Sequence, residues 1–428
     1  MDHHADRRAV PEHQEAVRGL VEAGLAAARR ATTLPLAGLL AAAAAGVLAP
    51  RTLVADAVAG LDLPGFDNSQ MDGYAVGAAD LAGATPARPV VLPVAAPVPA
   101  GTQPPPLEAG TAAPVMTGAP VPAGADAVVK IEDADPPAFP DPAARAGVRF
   151  ATPAAAGTFV RRRGSDVAAG DVVVPAGTPV GPPQLGVLVA SGVTEVEVAE
   201  APHVLLVSTG SELVPAGETL GPAQLHDANG AALTAALAQV GCRVTPRVVA
   251  DDPAALRAVL ADAPADVALV VTSGGVSAGA YEVVRQTLTD AWFGHVAVQP
   301  GGPQGLGTVT LGAPGDPPEV PLVAFPGNPV SALVSFELFL RPVLAAATGA
   351  GPAHRPRGRA PLATAVDSPP HLHQVRRGRL DPDGRVALVG GPGSHLLAHL
   401  AAATLLVHVP PGVAHLPAGA EVDYWEIR

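Results

Sequence analysis

The chain has 428 residues, a net charge of −13 and a hydrophobic content of 48%. This length allows about two to four domains of ordinary size, and the apolar content is sufficient for packed cores. The acidic balance argues against a nucleic-acid-binding surface, and the single cysteine, Cys242, excludes a disulfide framework and a cysteine zinc cluster.

The sequence gives no indication of export or membrane insertion. The first residues have no apolar core of the kind found in signal peptides. The most apolar window, residues 34–49, is shorter than the roughly 20 residues that a membrane span needs. We therefore expect no membrane association, and a reducing cytoplasm suits a chain with one thiol.

The first 200 residues predict helices followed by short strands. Apolar spacing predicts helices over residues 12–30 and 36–47. Residues 76–200 alternate short β-runs with proline and glycine turns, which predicts an all-β region, with a barrel as one arrangement. A short helix is predicted over 184–191 and a strand over 195–198.

From residue 201 to about 348 the pattern changes to alternating strands and helices. Strands are predicted over 204–207, 243–249, 267–271 and 320–325, and helices over 228–240, 254–261, 280–288 and 330–346. This alternation is typical of a parallel sheet with helices on both faces. Residues 360–428 return to short strands and predict a small β-domain.

Three of the predicted strands end in loops of small residues. The loops are Ser208-Thr209-Gly210-Ser211-Glu212, Thr272-Ser273-Gly274-Gly275-Val276-Ser277-Ala278-Gly279 and Pro326-Gly327-Asn328-Pro329-Val330-Ser331. Glycines let backbone N–H groups face a ligand, and a following helix N-terminus favours negative charge. In an open α/β sheet such loops gather at one edge, so we expect an anion or phosphate site there.

Several polar segments have both a structural and a functional interpretation. Asp67 and Asp72 lie in a polar segment of turn formers, where they either shape turns or present carboxylates to a metal or substrate. Asp166 follows three arginines, which form either a solvated face or an anion site. Thr117 belongs to a proline- and glycine-rich run that is explained by turn chemistry alone.

Two aspartates are predicted to cap helices. Asp227 precedes the helix predicted from residue 228, and Asp252 precedes Pro253, so both suit the N-cap position. Asp251 is then a spare carboxylate that is free for a metal. The histidines near the carboxyl end are spread over separate segments, and a metal role for them is disfavoured: His371, His373, His395, His399, His408 and His415.

Together the motifs resemble one family. They are Asp67-Asn68-Ser69-Gln70-Met71-Asp72-Gly73-Tyr74-Ala75, Met116-Thr117-Gly118-Ala119-Pro120-Val121-Pro122, Ser208-Thr209-Gly210-Ser211-Glu212-Leu213, Thr272-Ser273-Gly274-Gly275-Val276-Ser277 and Phe325-Pro326-Gly327-Asn328-Pro329-Val330-Ser331. In this order they resemble the molybdopterin molybdenumtransferase (MoeA) family, to which the gephyrin E domain belongs. The resemblance covers about residues 12 to 425.

The resemblance implies a reaction and an architecture. The enzyme would insert molybdate into adenylylated molybdopterin with Mg²⁺ and release AMP. It would be an elongated homodimer whose active cleft lies between the α/β domain of one subunit and the β-rich domain of the other. Further partners would be other molybdenum-cofactor biosynthesis proteins and molybdoenzyme apoproteins. The implied domains are an N-terminal domain of helices and strands (10–66 with 168–200), a β-rich domain (67–167), an α/β molybdopterin-binding domain (201–348) and a small β-domain (355–428).

The resemblance also implies site residues. The catalytic group comprises Asp72, Thr117, Asp166, Glu212, Asp251 and Glu282, of which Asp251 and Glu282 would hold Mg²⁺. Arg377 and Ser394 would bind molybdate, since an arginine and a hydroxyl suit an oxyanion. Substrate binding is assigned to Ser208, Thr209, Gly210, Asp227, Asn229, Ser273, Gly274, Gly275, Ser277, His295, Gln299, Pro326, Gly327, Asn328 and Ser331.

The chain departs from the family pattern in four places. Glu282 replaces the common aspartate, His295 and Gln299 stand where many members have lysines, and Gly302 replaces the lysine of a Pro-Gly-Lys-Pro run. Three interpretations follow: an active molybdenum insertase, a weakened paralogue that acts as a molybdopterin-binding or scaffolding protein, and a molybdopterin adenylyltransferase. The clustered carboxylates favour the first over the second, and the β-regions on both sides of the α/β domain disfavour the third.

Overall fold

A computed structural model describes residues 7–45, 51–139, 147–277, 282–312 and 318–427. The described chain divides into two compact units. The first unit takes its residues from Met1–Thr32, Ala42–Thr52 and Glu197–Arg428, and the second from Thr33–Ala41 and Leu53–Val196. The two units are described separately.

The elements up to residue 199 are three helices and thirteen mostly short strands within the described ranges. The helices are α1 (Val10–Ala27), α2 (Leu36–Ala44) and α3 (Pro182–Ala190). The strands are β1 (Arg7–Arg8), β2 (Ala31–Pro35), β3 (Ala57–Val58), β4 (Asn68–Ser69), β5 (Gly73–Val76), β6 (Val90–Pro93), β7 (Ala113–Val115), β8 (Ala127–Lys130), β9 (Ala134–Asp135), β10 (Gly147–Phe150), β11 (Val160–Arg161), β12 (Val172–Val174) and β13 (Glu195–Ala199).

Beyond residue 199 longer strands alternate with helices before the chain returns to β-structure. The strands are β14 (His203–Thr209), β15 (Leu213–Val214), β16 (Leu225–His226), β17 (Arg243–Val249), β18 (Val267–Ser273), β19 (Trp292–Val296), β20 (Val298–Gln299), β21 (Pro303–Thr310), β22 (Glu319–Phe325), β23 (Arg357–Pro361), β24 (Val366–Asp367), β25 (His373–Leu380), β26 (Val386–Leu388), β27 (Leu405–Val409), β28 (His415–Leu416) and β29 (Glu421–Glu426). The helices are α4 (Ala228–Gln239), α5 (Pro253–Ala261), α6 (Val283–Thr287), α7 (Pro329–Ser335), α8 (Arg341–Thr348) and α9 (Leu397–Ala401).

The first unit is built on a mixed sheet with the strand order β1-β19-β21-β22-β18-β14-β17. β17, β14, β18 and β22 are parallel, as the sequence predicts, but β21 is antiparallel to β22 and β19 is antiparallel to β21. The antiparallel strands at this edge, β19 and β21, are two that the sequence pattern does not predict. No helix separates β19 from β21, and strands joined by such short links pair in the antiparallel sense.

The two missed strands carry glycines that hide their β-character. A methyl group on Gly305 of β21 would lie 2.5 Å from the ring of Phe293 on β19. The strand therefore needs glycine to accommodate the aromatic side chain. Glycine weakens the strand signal of the sequence, because it has a low β-propensity and often marks a close backbone approach.

The core of the first unit lies on both faces of the parallel strands. Every residue of β14 and β18 is buried, as expected for strands covered by helices on both sides. Val17 and Val21 of α1 are fully buried in the same apolar cluster as Leu206 and Val323. Helix α1 thus belongs to the first unit, whereas the four-domain division grouped it with residues 168–200. That division stays a prediction.

The predicted helix over 330–346 is formed by α7 and α8, with a π-helical turn over Phe336–Leu340 between them. Pro342 has no N–H to donate to the carbonyl of Leu338, and the freed carbonyl accepts a hydrogen bond from Gln14 Nε2 at 3.0 Å. The run Pro329–Thr348 is long and apolar enough to cross a membrane, but 72% of its apolar window is buried inside the unit. It has the burial of a core helix.

The carboxyl-terminal part of the first unit is a second sheet with the order β20-β25-β27-β29-β23, and β26 pairs with β25. Its core contains Leu405, Val407 and Val422. The small β-domain predicted at this end of the chain is therefore present. The predicted helix over 280–288 is described only as α6, and its first two residues lie outside the described residues.

The second unit consists of small antiparallel sheets. Their orders are β7-β5-β8 and β6-β10-β9, with the pairs β11-β4 and β12-β3. Tyr74, Leu81 and Phe150 are fully buried in one apolar core, and Ala75, Val115 and Val128 belong to another. The predicted β-rich character is confirmed, with separate small sheets in the described residues in place of one barrel.

Candidate active site at the strand-end loops

The three predicted loops meet at the carboxyl ends of β14, β18 and β22. The N–H of Gly274 donates to the carbonyl of Phe325 at 3.0 Å, which fixes the second loop to the third. Gly274 has φ +96°, and a methyl group on it would lie 2.7 Å from the carbonyl oxygen of Thr209. A methyl group on Gly327 would lie 3.3 Å from Gly274 Cα. Only glycine at position 274 allows the three loops to approach this closely.

Asn229 ties these loops to the first turn of α4. Its Nδ2 donates to Ser273 Oγ and to the carbonyl oxygen of Gly327, each at 2.7 Å. Ser273 is 2% exposed, and its hydroxyl also lies 3.5 Å from the carbonyl of Pro326. One amide side chain therefore sets the separation of two loops. The sequence places Asn229 in the substrate group but does not show this bridging contact.

Three hydroxyls at the same sheet edge have no hydrogen-bond partner within the described residues. They belong to Ser208, Thr209 and Thr272, which are 1%, 7% and 1% exposed. Buried polar groups are normally hydrogen-bonded, so these three hydroxyls need a partner that the described residues do not supply. Their position makes this edge a candidate binding site.

The predicted helix caps are confirmed. Asp227 is the N-cap of α4 and accepts a hydrogen bond from Gly230 N–H at 2.8 Å, and Asp252 caps α5 through Ala254 N–H at 2.9 Å. Asn328 is the N-cap of α7, although its side chain makes no capping bond. Ser331, in the first turn of α7, is 3% exposed.

Three acidic residues predicted for the site lie in the first unit: Glu212, Asp251 and Glu282. The carboxylates of Asp251 and Glu282 accept hydrogen bonds from backbone N–H groups, and that of Glu212 lies close to the backbone. Asp251 Oδ2 accepts from Ser211 N–H, and Ser211 Oγ accepts from Asp251 N–H, each at 3.1 Å. Glu282 Oε2 accepts from Ser277 N–H at 2.8 Å. The carboxylate of Glu212 lies against Gly210, within 2.8 Å of where a methyl group on that glycine would be.

Asp251 and Glu282 do not form a common metal cluster. Asp251 follows β17 and Glu282 follows β18, and β14 lies between these two strands. The described residues contain no group of three or more histidine, cysteine or acidic side chains suited to a metal. A cation at this edge would therefore depend mainly on oxygens supplied by the substrate.

The loop that lacks the expected lysine is held by two buried glutamines. Gln304 Nε2 donates to the carbonyl of Gly301 and to Ser335 Oγ, each at 2.7 Å, and Gln374 Nε2 donates to Gln299 Oε1 at 2.7 Å. Sequence reasoning missed Gln304 and Gln374, which are 0% and 2% exposed. The sequence carries little signal for them, because both strands, PQGLGTVT and HQVRRGRL, are rich in polar residues or glycine and do not stand out as apolar runs.

Gly302 has room for a side chain. A methyl group there would lie 3.5 Å from the carbonyl oxygen of Val296 and 3.7 Å from Cδ2 of His295. These are ordinary van der Waals distances. His295 therefore lies beside the position from which a lysine at residue 302 would extend.

The predicted molybdate residues lie around one loop of the first unit, residues 389–394, which is itself partly exposed. Arg377, 2% exposed, donates to the carbonyls of Val389, Gly391 and Gly393. The carbonyl of Ser394 accepts from Val330 N–H at 3.1 Å, at the start of α7. Arg377 thus fixes the loop that carries Ser394 beside the Pro326–Ser331 loop. Its guanidinium is committed to backbone carbonyls in this structure.

In the second unit, Asp72 and Thr117 form a direct pair. Asp72 Oδ1 accepts from Thr117 N–H at 2.6 Å and from Thr117 Oγ1 at 2.8 Å. These two bonds, the backbone one first, hold the pKa of the Asp72 carboxyl below its usual range. Both residues are exposed, so the ionised carboxylate faces solvent in a fixed orientation.

Asp67 and Asp166 lie near the arginine run of the second unit. Asp67 accepts from Arg163 N–H at 2.8 Å and from Arg162 Nη1 at 2.6 Å, and these contacts lower the pKa of its carboxyl. The N–H of Asp166 donates to the carbonyl of Leu63 at 2.9 Å, and the residue is exposed. Asp67 is therefore an internal partner of the arginines, whereas Asp166 is presented to solvent.

Three family models match successive parts of the chain. The MoeA N-terminal region (domain I and II) matches residues 9–192, a probable molybdopterin binding domain matches 205–346, and the MoeA C-terminal region (domain IV) matches 359–427. The three matches follow one another without overlap, from residue 9 to residue 427.

Curated relatives and a solved structure agree with these matches. Molybdopterin molybdenumtransferase 2 of Mycobacterium tuberculosis is 42% identical over 381 residues, which cover 86% of this chain and 90% of that protein. Molybdopterin molybdenumtransferase of Synechococcus elongatus is 36% identical over 371 residues, covering 85% and 88%. The crystal structure of the molybdopterin biosynthesis MoeA protein from Pyrococcus horikosii superposes with a TM-score of 0.77 at 28% identity, covering 99% of this chain and 100% of that one.

The bridging contacts of Asn229 give a test of the site's construction. We expect Asn229→Ala to lower the free energy of unfolding by about 2 kcal/mol, because two side-chain hydrogen bonds are lost and a buried serine hydroxyl loses a partner. Gln239→Ala, at the exposed end of the same helix, should change it by less than about 0.5 kcal/mol. Urea denaturation of both variants and the wild-type protein measures the difference. Equal midpoints for the two variants would show that Asn229 does not hold the loops.

Proposed function

Because the chain belongs to the MoeA family of molybdopterin molybdenumtransferases, we propose that it inserts molybdate into adenylylated molybdopterin and releases AMP. Its role is in molybdenum cofactor biosynthesis. We propose the cytoplasm as the place of this reaction. The substrate class, an anionic pterin nucleotide, suits the three glycine-rich loops and the first turns of α4 and α7.

The observation that carries this proposal is the group of unpaired hydroxyls beside the glycine loops. Ser208, Thr209 and Thr272 lie where the phosphates of a nucleotide reach the sheet edge in α/β folds. The two glycines that pack there, Gly274 and Gly327, keep the backbone free of side chains. This arrangement supports a bound phosphate ester and does not suit an apolar ligand.

We propose that Asp251 is the main protein ligand of Mg²⁺. One of its oxygens accepts from Ser211 N–H, and the other has no partner among the described residues. Glu282, the second candidate, is already bonded to Ser277 N–H. A bound Mg²⁺ would neutralise and polarise the phosphoanhydride, and the protein's own part is to hold one carboxylate in place by the Ser211–Asp251 pair.

Arg377 and Ser394 remain the proposed molybdate pair, with different roles. Arg377 contributes a buried positive charge without a carboxylate partner within 4 Å in the described chain, and it fixes the loop of Ser394. Ser394, whose backbone carbonyl accepts from Val330 N–H at the start of α7, is the residue that we propose contacts the oxyanion directly. Burial lowers the pKa of the Arg377 guanidinium.

The scaffolding alternative predicts binding of adenylylated molybdopterin without turnover, whereas the main proposal predicts release of AMP. Purified protein incubated with adenylylated molybdopterin, Mg²⁺ and molybdate should release AMP and yield molybdenum cofactor in equal amounts. Omission of Mg²⁺ should suppress both products. Tight binding of adenylylated molybdopterin without AMP release would identify the scaffolding function. The adenylyltransferase alternative is disfavoured by the matched MoeA regions on both sides of the α/β domain.

We also propose a homodimer in which Asp72, Thr117 and Asp166 of one subunit complete the site at the loops of its partner. Light scattering at micromolar concentration should give twice the chain mass of 42.4 kDa. An equimolar mixture of Asp72→Asn and Asp251→Asn proteins should recover part of the activity, because mixed dimers contain one intact shared site. A monomer with undiminished AMP release, or no recovery in mixtures that form mixed dimers, would contradict the shared site.

The carboxylates of the site give a second prediction. Asp72→Asn and Asp251→Asn should each reduce AMP release by at least about 100-fold, because a positioned charge at the reacting phosphate is lost. Both side chains lie in turns outside the apolar cores, so the unfolding midpoints should stay close to wild type. Asp80→Asn is the control, since Asp80 only accepts from Gly110 N–H at 2.9 Å in the same unit as Asp72. Full activity of Asp72→Asn and Asp251→Asn would disprove the assignment.

The missing lysine gives a third prediction. Gly302→Lys should strengthen binding of adenylylated molybdopterin by roughly fivefold, because one added charge near a phosphate is worth on the order of 1 kcal/mol. A Cβ at this position meets no close contact, since its nearest neighbour would be 3.5 Å away. Gly19→Lys on the exposed face of α1 adds the same charge elsewhere and serves as the control. Equal affinity of both variants, measured by calorimetry at fixed salt, would show that charge at residue 302 does not limit binding.

A further inference from the structure

A cavity of about 730 Å³ lies in the first unit, between the start of α1 and the carboxyl-terminal sheet. Its polar lining includes Arg7, Arg357, His371, His373 and His408, and Trp425 forms an apolar wall. This volume is within the range of small-molecule sites, roughly 300–1,000 Å³. None of these residues belongs to the candidate active site.

The cavity is separate from the strand-end loops. Arg7 lies on β1, at the edge of the main sheet, and three strands separate β1 from β18. At about 4.8 Å between neighbouring strands, this is about 19 Å. His373 on β25 lines the cavity, while the next residue, Gln374, bonds to Gln299. Successive residues of a strand point to opposite faces, so the cavity and the active-site loop lie on different sides of β25.

The cavity is electropositive, although the protein as a whole is acidic. Arg7 and Arg357 have no carboxylate within 4 Å among the described residues, and Arg357 lies over the ring of Trp425 at 5.6 Å. The lining also includes Ala9, Val10 and Pro11 at the beginning of the 18-residue helix α1, whose N-cap makes no side-chain hydrogen bond. The positive end of this helix therefore adds to the charge of the arginines.

Two buried nitrogen atoms of the lining have no hydrogen-bond partner in the described chain. His408 is 8% exposed, and its Nε2 has no partner in the described chain, nor does Nε of Arg7. His408 Nδ1 and His373 Nε2 are 3.0 Å apart and share one proton. Burial, together with the charges of His373 and Arg357, lowers the pKa of His408 to about 3, so its ring is neutral at pH 7. If His373 Nε2 donates to His408 Nδ1, the neutral His408 carries its proton on Nε2 and is a donor.

We propose that this cavity binds a small organic anion, a carboxylate or phosphate monoester attached to an apolar body. The anionic oxygens accept from His408 Nε2, Arg7 and Arg357 and lie near the start of α1. The apolar body packs against Trp425 and Leu338, which also line the cavity. Asp423 is the acidic residue of the lining, and it opposes the anion from the cross-strand position next to His408.

Calorimetry with defined probes tests the proposal. Phenylphosphate and benzoate each carry an anion on an aromatic ring, whereas inorganic phosphate carries only the anion and phenol only the ring. We expect phenylphosphate or benzoate to bind at least roughly tenfold more tightly than inorganic phosphate or phenol, because only the first two use both walls. The better of the two identifies the anionic group. Equal affinity of inorganic phosphate and phenylphosphate would overturn the assignment of an apolar body.

Substitutions of the lining residues test whether the probe binds in this cavity. Arg357→Gln and Arg7→Gln should each weaken binding of the better probe by roughly tenfold or more, as for the loss of one charge-assisted hydrogen bond. Asp423→Asn should strengthen it. Arg359→Gln is the matched control: Arg359 lies two residues along β23, is exposed and sits 3.9 Å from Glu421 outside the cavity, so affinity should not change.

The same measurements can overturn the site. The proposal fails if no probe binds at millimolar concentration, or if Arg357→Gln and Arg7→Gln bind as tightly as the wild-type protein. Since Arg357 is exposed, Arg357→Gln is not expected to unfold the chain, and its unfolding midpoint should match that of Arg359→Gln. AMP release by Arg357→Gln should equal wild type, because the cavity is not part of the catalytic loops. A parallel loss of AMP release would place Arg357 in the active site and reject a separate cavity.

Discussion

The close approach of three backbone segments at one sheet edge is the constraint on which the first unit depends. Gly274 lies between Thr209 on one side and Gly327 on the other, at distances that exclude any Cβ on the Thr209 side. Parallel strands end at a common edge, so the three loops that follow them must pack closely against one another. Small residues, above all Gly274 and Gly327, make this close approach possible. The packing of the three loops alone therefore requires glycine at position 274, whatever the loops bind.

The sequence predicts the parallel strands, the helix caps and the strand-end loops because each has a local cause. Asp227 and Asp252 cap helices through bonds to residues two or three positions away. The antiparallel edge is different, since β21 is recognised as a strand only when the ring of Phe293 is seen to occupy the space that Gly305 leaves. Likewise, the π-helical turn before Pro342 is stabilised by Gln14, which is more than 300 residues away in sequence. Non-local partners of this kind cannot be found by periodicity.

For the site residues, too, the sequence predicts which residue types are present but not which residues contact each other. The residue types of the loops predict an anion site, but not that Asn229 bridges Ser273 and Gly327 or that Ser211 and Asp251 hold each other. These contacts decide which carboxylate oxygen remains available. A hydrogen bond to the charged form favours ionisation, and Asp72 shows this effect through Thr117. The structure thus holds the Asp72 carboxylate ionised and in a fixed orientation.

The positive charge near the proposed molybdate residues comes from Arg377, and it depends on the hydrogen bonds that this side chain makes. Arg377 donates hydrogen bonds to backbone carbonyls of the loop that precedes Ser394. Because carbonyls carry no net charge, these bonds do not neutralise the positive charge of the guanidinium. A buried guanidinium whose partners are dipoles still attracts an anion, because the carbonyls satisfy its N–H groups without cancelling its field. Lysine at residue 302 would add a mobile ammonium at the other side of the same region, whereas Arg377 supplies a fixed charge whose geometry does not change on binding. This chain has Lys130 as its one lysine, so the proposed anion site would depend on fixed arginine charge and on helix N-termini rather than on flexible cations.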